Sequence, residues 1–294
     1  MKTILSFFSN IFKISNIGTI IFFIINLSIL FAVFSPLLEN GIEGYLILLL
    51  IYLFSLVLSF SPIGQAFLCL INGAKKMRRL DMRERIFPIV DEVYLAAKKK
   101  TPSLPNKLKI RVMYDPNPNA FAIGINTICI TEGLLDLPEN LIAGVVAHEI
   151  GHLALNHTII QVLIGGGNLV MSSIIWSLEL MRLILSVFSV TETLRKDDPW
   201  HWLGAGIAAI SAGVIYCWTK ICLLILMGSN RANEYAADKY AFEIGYGDDL
   251  AEVLDRLTMG TPHSTFLKIL SSSHPEPSDR IARLQSMGAT YSRY

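Results

Sequence analysis

His148-Glu149-Ile150-Gly151-His152 lies in an apolar stretch that is expected to form a buried helix. Residues four apart share one face of a helix, so both histidines can reach the same metal ion. Glu149 projects beside that ion rather than onto it, where its carboxylate can take a proton from a water molecule. The pentapeptide therefore predicts a zinc site with a general base, which is the chemistry of a metal-dependent peptidase.

The residues before the motif predict where its helix begins. The stretch 136–139 is typical of a helix start, with Asp136 as N-cap, Pro138 in the first turn and Glu139 completing a capping box. The helix that follows is apolar over most of its surface, which is typical of a buried helix. Unpaired buried polar groups are costly, so this context favours metal binding over two unrelated histidines.

The composition indicates a membrane protein. Hydrophobic residues make up 52% of the 294 residues and charged residues 17%, which is too apolar for an ordinary soluble domain. The net charge of +1 gives no reason to expect a nucleic-acid partner. The four cysteines form no CxxC pair, so neither a disulfide framework nor a cysteine zinc cluster is predicted.

Four apolar segments are long enough to cross a lipid bilayer, namely residues 17–34, 45–71, 159–190 and 203–227. The last two contain charged residues and are weaker candidates, which could instead form a hairpin packed on the rest of the protein. The expected fold class is α+β, a mostly helical membrane protein with about four transmembrane helices and a polar domain that contains a small β-sheet.

These segments divide the chain into an N-terminal transmembrane hairpin at 1–73, a first part of the polar domain at 74–158, a second hairpin at 159–228 and a second part of the polar domain at 229–294. Basic residues flank the first hairpin, whereas the loop inside it carries Glu39 and Glu43 and no basic residue. By the positive-inside rule, the polar domain is expected to face the cytoplasm. The flanking basic residues are Lys2, Lys13, Lys75, Lys76, Arg78, Arg79, Arg83 and Arg85.

Local patterns predict the elements of the polar domain. Residues 74–100 are expected to form a charged helix in which Pro88 favours a kink or break. Alternating and short apolar runs predict strands at 107–114, 120–125 and 127–131, so that a small sheet precedes the motif helix. Residues 229–244 are expected to form a helix after the last apolar segment.

A catalytic zinc ion needs a third protein ligand, and the helix predicted at 229–244 offers two carboxylates. Glu234 and Asp238 are four apart and share one face of that helix. One carboxylate can bind the metal while the other accepts a hydrogen bond from a ligand histidine. The spacing alone leaves open which carboxylate does which, and a pair of solvated acids is the simpler alternative.

The chain resembles the HtpX-like and CaaX-prenyl-protease-type zinc metalloproteases, gluzincins with a zincin-type protease domain, in the motif at 148–152 and in N-R-A-N-E-Y-A-A-D at 230–238. The resemblance extends over about residues 75–285 and includes N-A-F-A-I-G at 119–124, I-T-E-G-L-L at 130–135 and His274-Pro275. Asn230 stands where the family usually has serine. The chain length resembles the bacterial HtpX-like members more than the larger prenyl proteases.

The resemblance implies a role for each matching residue. His148, His152 and Glu234 correspond to the ligands of one zinc ion (Zn²⁺) per chain, and Glu149 corresponds to the general base. Asp238 corresponds to the residue that orients a ligand histidine, with His148 as the expected one.

The same resemblance implies supporting roles further along the chain. His274 corresponds to the group that stabilises the negatively charged oxygen formed during hydrolysis, and Arg280 to the partner of a carboxylate near the site. An edge strand would bind an extended peptide by strand addition. Its residues are Asn119, Ala120, Phe121, Ala122, Ile123 and Gly124.

The function implied is that of a membrane-bound zinc endopeptidase of the bacterial plasma (inner) membrane, active in the quality control of membrane proteins under stress. Its expected substrates are membrane proteins or unfolded polypeptides, and other membrane quality-control proteases are expected partners. One alternative is a CaaX-type prenyl-protein protease, which cleavage of a farnesylated peptide would reveal. A second is an inactive scaffold protein with the same fold, which zinc content and casein cleavage would distinguish. A third is a four-span transporter with an incidental motif, which the sparse polar residues Glu179, Arg182 and Lys220 disfavour because they would have to line a path.

Overall fold

A computed structural model describes residues 17–34, 41–159, 162, 231–258 and 275–293. These residues form two compact units, one comprising the described residues of Leu58–Leu163 and Gly228–Tyr294 and the other those of Gly18–Val57. The apolar segments predicted at 159–190 and 203–227 lie outside the described residues, apart from Ile159 and Val162. The four-part division of the sequence stays a prediction.

The smaller unit contains α1 (Ile17–Phe34) and most of α2 (Ile42–Phe60). Leu30 of α1 shares a buried cluster with Leu48 and Tyr52 of α2. Within the described residues, α2 is the one helix long and apolar enough to cross a bilayer, with a mean hydropathy of 2.2 and only 17% of that stretch buried. The expectation of about four transmembrane helices stays a prediction.

The segment 45–71 forms two helices rather than one span. α2 ends at Phe60, and α3 (Pro62–Ile71) begins after a break at Ser61. Pro62 lacks a backbone N–H and lies in the first turn of α3, where none is needed, while the Ser61 hydroxyl accepts the N–H of Gly64 at 3.2 Å. The helix buries Gln65 and Cys69 on one side, so α3 is amphipathic and belongs to the larger unit.

The predicted small sheet is confirmed. It contains β1 (Lys75–Lys76), β2 (Lys109–Met113), β3 (Ala120–Ile123) and β4 (Thr127–Thr131) in the order β1-β2-β4-β3. β2 and β4 are parallel, whereas β1 pairs with β2 and β3 with β4 in antiparallel fashion. β1 was not expected, because two residues are too few to show the alternation of a strand. β3 forms an edge of the sheet.

Among the described residues of the larger unit, five α-helices longer than one turn follow α3, and residues 157–159 are helical as well. The five are α4 (Leu80–Lys100), α5 (Glu139–Ala154), α6 (231–243), α7 (Gly247–Thr258) and α8 (Pro277–Ser286). α4 continues through Pro88, so of the expected kink or break the break is wrong. α5 carries the His-Glu motif and is buried along most of its length, as predicted.

The predicted N-cap of α5 is wrong. Residues Glu132–Asp136 form a 3-10 helix that is followed by Leu137 as its own cap, so Asp136 is not placed to cap α5. Pro138 occupies the N-cap position instead, without a side-chain hydrogen bond, and the helix begins at Glu139.

Candidate metal centre

α5 and α6 bring the three candidate ligands together. His148 and His152 lie on one face of α5, and Glu234 faces them from α6. One ligand atom from each residue lies within 4.8 Å of the other two. All three side chains are buried, with exposed fractions of 5%, 9% and 5%, so water competes little for their ligand atoms.

The distances between these atoms fit a metal ion. Nε2 of His148 lies 3.1 Å from Nε2 of His152, and the two nitrogens lie 3.4 and 3.3 Å from the carboxylate oxygens of Glu234. Nitrogen and oxygen ligands about 2.0–2.2 Å from a tetrahedral zinc ion are separated from one another by about 3.3–3.6 Å. Two imidazole nitrogens and one carboxylate are also the donor set of a catalytic zinc site that keeps one position open.

Gly151 explains how α6 comes close enough to supply the third ligand. A Cβ atom at Gly151 would lie 3.1 Å from the carbonyl oxygen of Ala237 and 3.2 Å from its Cα, both on the main chain of α6. The absence of a side chain in the middle of the motif therefore allows the two helices to touch one turn away from Glu234.

Asp238 and Arg280 lie behind His148. Oδ1 of Asp238 is 2.9 Å from Nδ1 of His148, so the imidazole donates this N–H to the carboxylate and directs Nε2 towards Glu234. Arg280 from α8 donates to both oxygens of Asp238, at 2.6 and 2.8 Å. Asp238 is 1% exposed and Arg280 6% exposed, so each buried charge is stabilised by the other and would be costly without it.

These neighbours change the protonation of His148. Burial and the Arg280 cation lower the pKa of His148, but hydrogen bonds to Asp238 and Glu234 outweigh them and raise it to about 9. Burial raises the pKa of the Asp238 carboxyl, but the hydrogen bonds from Arg280 and His148 outweigh this and hold it below its usual value. A metal ion bound at Nε2 of His148 would have to displace the proton that these neighbours favour there.

Glu149 lies next to the candidate ligands and is held from the opposite side by the sheet. The backbone N–H of Ala122 in β3 donates to Oε2 of Glu149 at 2.7 Å. This bond orients the carboxylate and leaves its second oxygen available for a proton. The contact links the predicted general base directly to the predicted substrate strand.

The register of β3 shows which of the six predicted substrate residues direct their backbone groups towards β4 and which direct them towards the other edge. Thr131 donates its N–H to the carbonyl of Asn119, and the alternation of an antiparallel pair then directs the backbone groups of Phe121 and Ile123 towards β4 as well. Within the described residues no strand pairs with the outer edge of β3, which the backbone groups of Ala120 and Ala122 face and where an added strand could pair with them.

Gly124 has a different position from the other five. Its φ of 62° places it in the left-handed region, and a Cβ there would lie 1.7 Å from Oε1 of Gln65. The Gln65 oxygen accepts the N–H of Ile125 at 3.2 Å, so Gly124 allows α3 to support the turn between β3 and β4.

Two further histidines, His274 and His157, concern the site. His274 lies outside the described residues, and its predicted role stays a prediction. His157, to which the sequence assigned no role, lies against His152 with 3.1 Å between their Nδ1 atoms. The sequence signal for this contact was a third histidine five positions after the motif. On a regular helix, however, a residue at that position would point away from His152.

Comparisons with known proteins identify the family of the chain. Peptidase family M48 matches residues 84–288 of the chain. The Protease HtpX homolog of Dictyoglomus thermophilum is 30% identical over 228 residues, which cover 68% of this chain and 68% of that protein. The Protease HtpX homolog of Listeria innocua is 27% identical over 264 residues, covering 81% of this chain and 83% of that protein.

A solved structure is also similar. The crystal structure of S. mikatae Ste24p aligns with 88% of this chain and 61% of that chain, at 19% identity and a TM-score of 0.48. The family match and the sequence relatives confirm the expected metalloprotease, and the chain belongs to peptidase family M48.

Proposed function

We propose that this metallopeptidase is a membrane-bound zinc endopeptidase that cleaves membrane proteins or misfolded polypeptides and takes part in membrane protein quality control. The observation that carries the proposal is the buried group of His148, His152 and Glu234, whose ligand atoms are spaced as around a tetrahedral zinc ion. Bound there, zinc would polarise the peptide carbonyl and lower the pKa of the attacking water.

The remaining steps of the hydrolysis are carried out by side chains of this protein. Glu149 takes a proton from the water through the oxygen that Ala122 leaves available, and then passes that proton to the leaving amine. Asp238 keeps the proton of His148 on Nδ1, so that Nε2 serves as ligand. His274 is proposed to donate to the negatively charged oxygen.

Substrate recognition is proposed to use the main chain of β3. An extended peptide pairs with the outward-facing groups of Ala120 and Ala122, which places its backbone beside Glu149. Main-chain pairing makes few demands on side chains, and this suits an enzyme for many unfolded substrates. The N–H of Ala122 is shared between Glu149 and the incoming strand.

Membrane attachment is proposed from the apolar helix α2 and the remaining apolar segments of the sequence. The basic residues after α3 support the proposal that the peptidase unit faces the cytoplasm at a bacterial plasma membrane. Cysteines introduced at Asn40 and Ser103 should then be labelled from opposite sides of the membrane. Labelling of Asn40 only from the cytoplasmic side would show that the hairpin is inverted and would contradict this orientation.

The test of the catalytic proposal compares Glu149→Gln with Glu139→Gln, an exposed glutamate at the start of the same helix. Glu149→Gln should keep one zinc ion per chain but cleave casein roughly 10²–10⁴-fold more slowly, because only the base is removed. Glu139→Gln should cleave at the native rate. Mass spectrometry of the products should show internal cuts, as expected of an endopeptidase.

Four outcomes would each oppose a part of the proposal. Near-native turnover of Glu149→Gln would remove Glu149 as the base. Absence of zinc from the native protein would remove the metal mechanism. Zinc binding without cleavage of any protein would favour an inactive scaffold. In cells, membrane-protein fragments that disappear with Glu149→Gln would support the quality-control role, and an unchanged membrane proteome would oppose it.

A further inference from the structure

His157 contacts the side of His152 that faces away from the metal centre. The Nδ1 atoms of the two rings are 3.1 Å apart, and the ring planes meet at 68°. Both side chains are buried, with His157 8% exposed. His157 lies outside the group of side chains that could bind the metal, because the ring of His152 stands between them.

A break at the end of α5 creates this contact. On a regular helix, a residue five positions after His152 would lie about 140° around the axis and could not face it. α5 ends at Ala154, and Asn156 has a φ of 63°, the one non-glycine residue in the described part of the chain with positive φ. Asparagine tolerates this left-handed conformation better than most residues, and the turn brings His157 back to His152.

The two contacts of His152 determine where its protons lie. Its Nε2 is 3.3 Å from a carboxylate oxygen of Glu234 and 3.1 Å from Nε2 of His148, so this nitrogen must present a lone pair when a metal binds. A neutral imidazole then carries its proton on Nδ1. Because an N–H···N bond needs one donor and one acceptor, Nδ1 of His157 must accept.

We propose that His157 is a positioning residue that accepts the Nδ1 proton of His152 and so fixes the tautomer and ring orientation of that metal ligand. His157 accordingly carries its own proton on Nε2. It does for His152 what Asp238 does for His148, and the inference rests on the zinc site proposed above.

The two ligand histidines therefore have partners of different charge. Asp238 is a carboxylate whose charge Arg280 balances, whereas His157 is a neutral acceptor. Another carboxylate behind His152 would add an unbalanced negative charge next to Glu234 and Glu149, within the same buried region. A neutral imidazole orients His152 without that cost and leaves the positive charge of the metal available to the substrate.

The experiment compares the native protein with His157→Leu and His157→Gln, all purified in detergent and loaded with zinc. Leucine fills the space without an acceptor, whereas the glutamine amide oxygen can still accept the Nδ1 proton. His157→Leu should bind zinc about 10–100-fold more weakly than the native protein, the effect typical of losing a partner behind a metal ligand, and should release it to a chelator correspondingly faster. His157→Gln should restore slow release, and cobalt-loaded His157→Leu should show an altered visible spectrum.

Native release rates and spectra in folded His157→Leu would overturn the inference. If that variant does not fold, nitrogen-15 NMR of the native zinc-loaded protein decides, since His157 protonated on Nε2 supports the proposal and protonated on Nδ1 overturns it. A native protein that binds no zinc would instead remove the proposed function itself. Native zinc binding with unchanged release from His157→Leu would remove the role of His157 alone.

Discussion

Glu234 and Glu243 lie on the same helix, α6, but have different surroundings. Glu234 is 5% exposed and faces both motif histidines, whereas Glu243 forms a partly exposed ion pair with Lys100 at 2.8 Å. Glu234→Ala should lower zinc affinity by more than 100-fold, about 2.7 kcal/mol, because a ligand is removed. Glu243→Ala should keep native affinity. Equilibrium competition with a chelator measures both, and equal affinities in the two variants would exclude Glu234 as a ligand.

A second comparison of single residues is between Arg280, in a buried ion pair, and Arg293, in a more exposed one. Its loss leaves the buried Asp238 charge without its main partner, so Arg280→Leu should lower the free energy of unfolding by about 3–5 kcal/mol. Arg293 pairs with Asp255 with 40% of its side chain exposed, and Arg293→Leu should cost at most about 1 kcal/mol. Denaturant unfolding of the metal-free proteins in detergent checks both values. Similar losses would mean that the Arg280 pair is not the stronger one.

At the scale of elements, substitutions at two glycines of α5 should have different effects, one on the stability of the fold and the other on the geometry of the metal site. Cβ atoms at Gly151 and Gly144 would lie 3.1 Å from the carbonyl oxygen of Ala237 in α6 and 2.7 Å from the backbone nitrogen of Leu250 in α7. Alanine favours a helix by about 1 kcal/mol over glycine, but overpacking costs about 1–3 kcal/mol. Gly144→Ala should therefore lower stability, since main-chain atoms of α7 must move.

Gly151→Ala should act mainly on the metal. The added methyl group displaces α6 by a few tenths of an ångström and with it Glu234, so zinc affinity should fall on the order of tenfold. Gly144→Ala should keep native zinc affinity, because α7 carries none of the candidate ligands. Zinc competition and thermal unfolding measured on both variants distinguish the effects. Loss of zinc affinity in Gly144→Ala alone would contradict this assignment of the two contacts.

At the scale of the whole molecule, the question is whether residues 163–227 help to build the site. α6 has attachments of its own, since Ala237 and Ala241 are fully buried and the Tyr240 hydroxyl donates to the carbonyl of Ala97 in α4 and accepts from the hydroxyl of Thr101. Replacing residues 163–227 by a glycine-serine linker should therefore leave zinc affinity in detergent within about tenfold, or 1.4 kcal/mol, of the native value. Casein cleavage should persist as well. Loss of zinc would show that this segment positions Glu234.

Much of the site was predictable from local sequence. Helical spacing alone places His148 and His152 on one face, with Glu149 beside them, because the period of a helix depends only on local backbone geometry. Glu234 and Asp238 were identifiable as a pair for the same reason. Short apolar runs bounded by turns likewise predicted the small sheet before α5. Each of these features depends on residues that are neighbours in the chain.

Contacts between elements decided the rest, since they depend on surfaces that meet only in the folded chain. Because α6 packs on Gly151, Glu234 lies next to the Nε2 atoms of His148 and His152. Asp238 lies next to Nδ1 of His148 instead. The left-handed turn at Asn156 brings His157 to His152. The register of β3 against β4 leaves the N–H of Ala122 to Glu149. The sequence by itself determined which residues could do metal chemistry, whereas the tertiary structure decided which atom of each faces which partner.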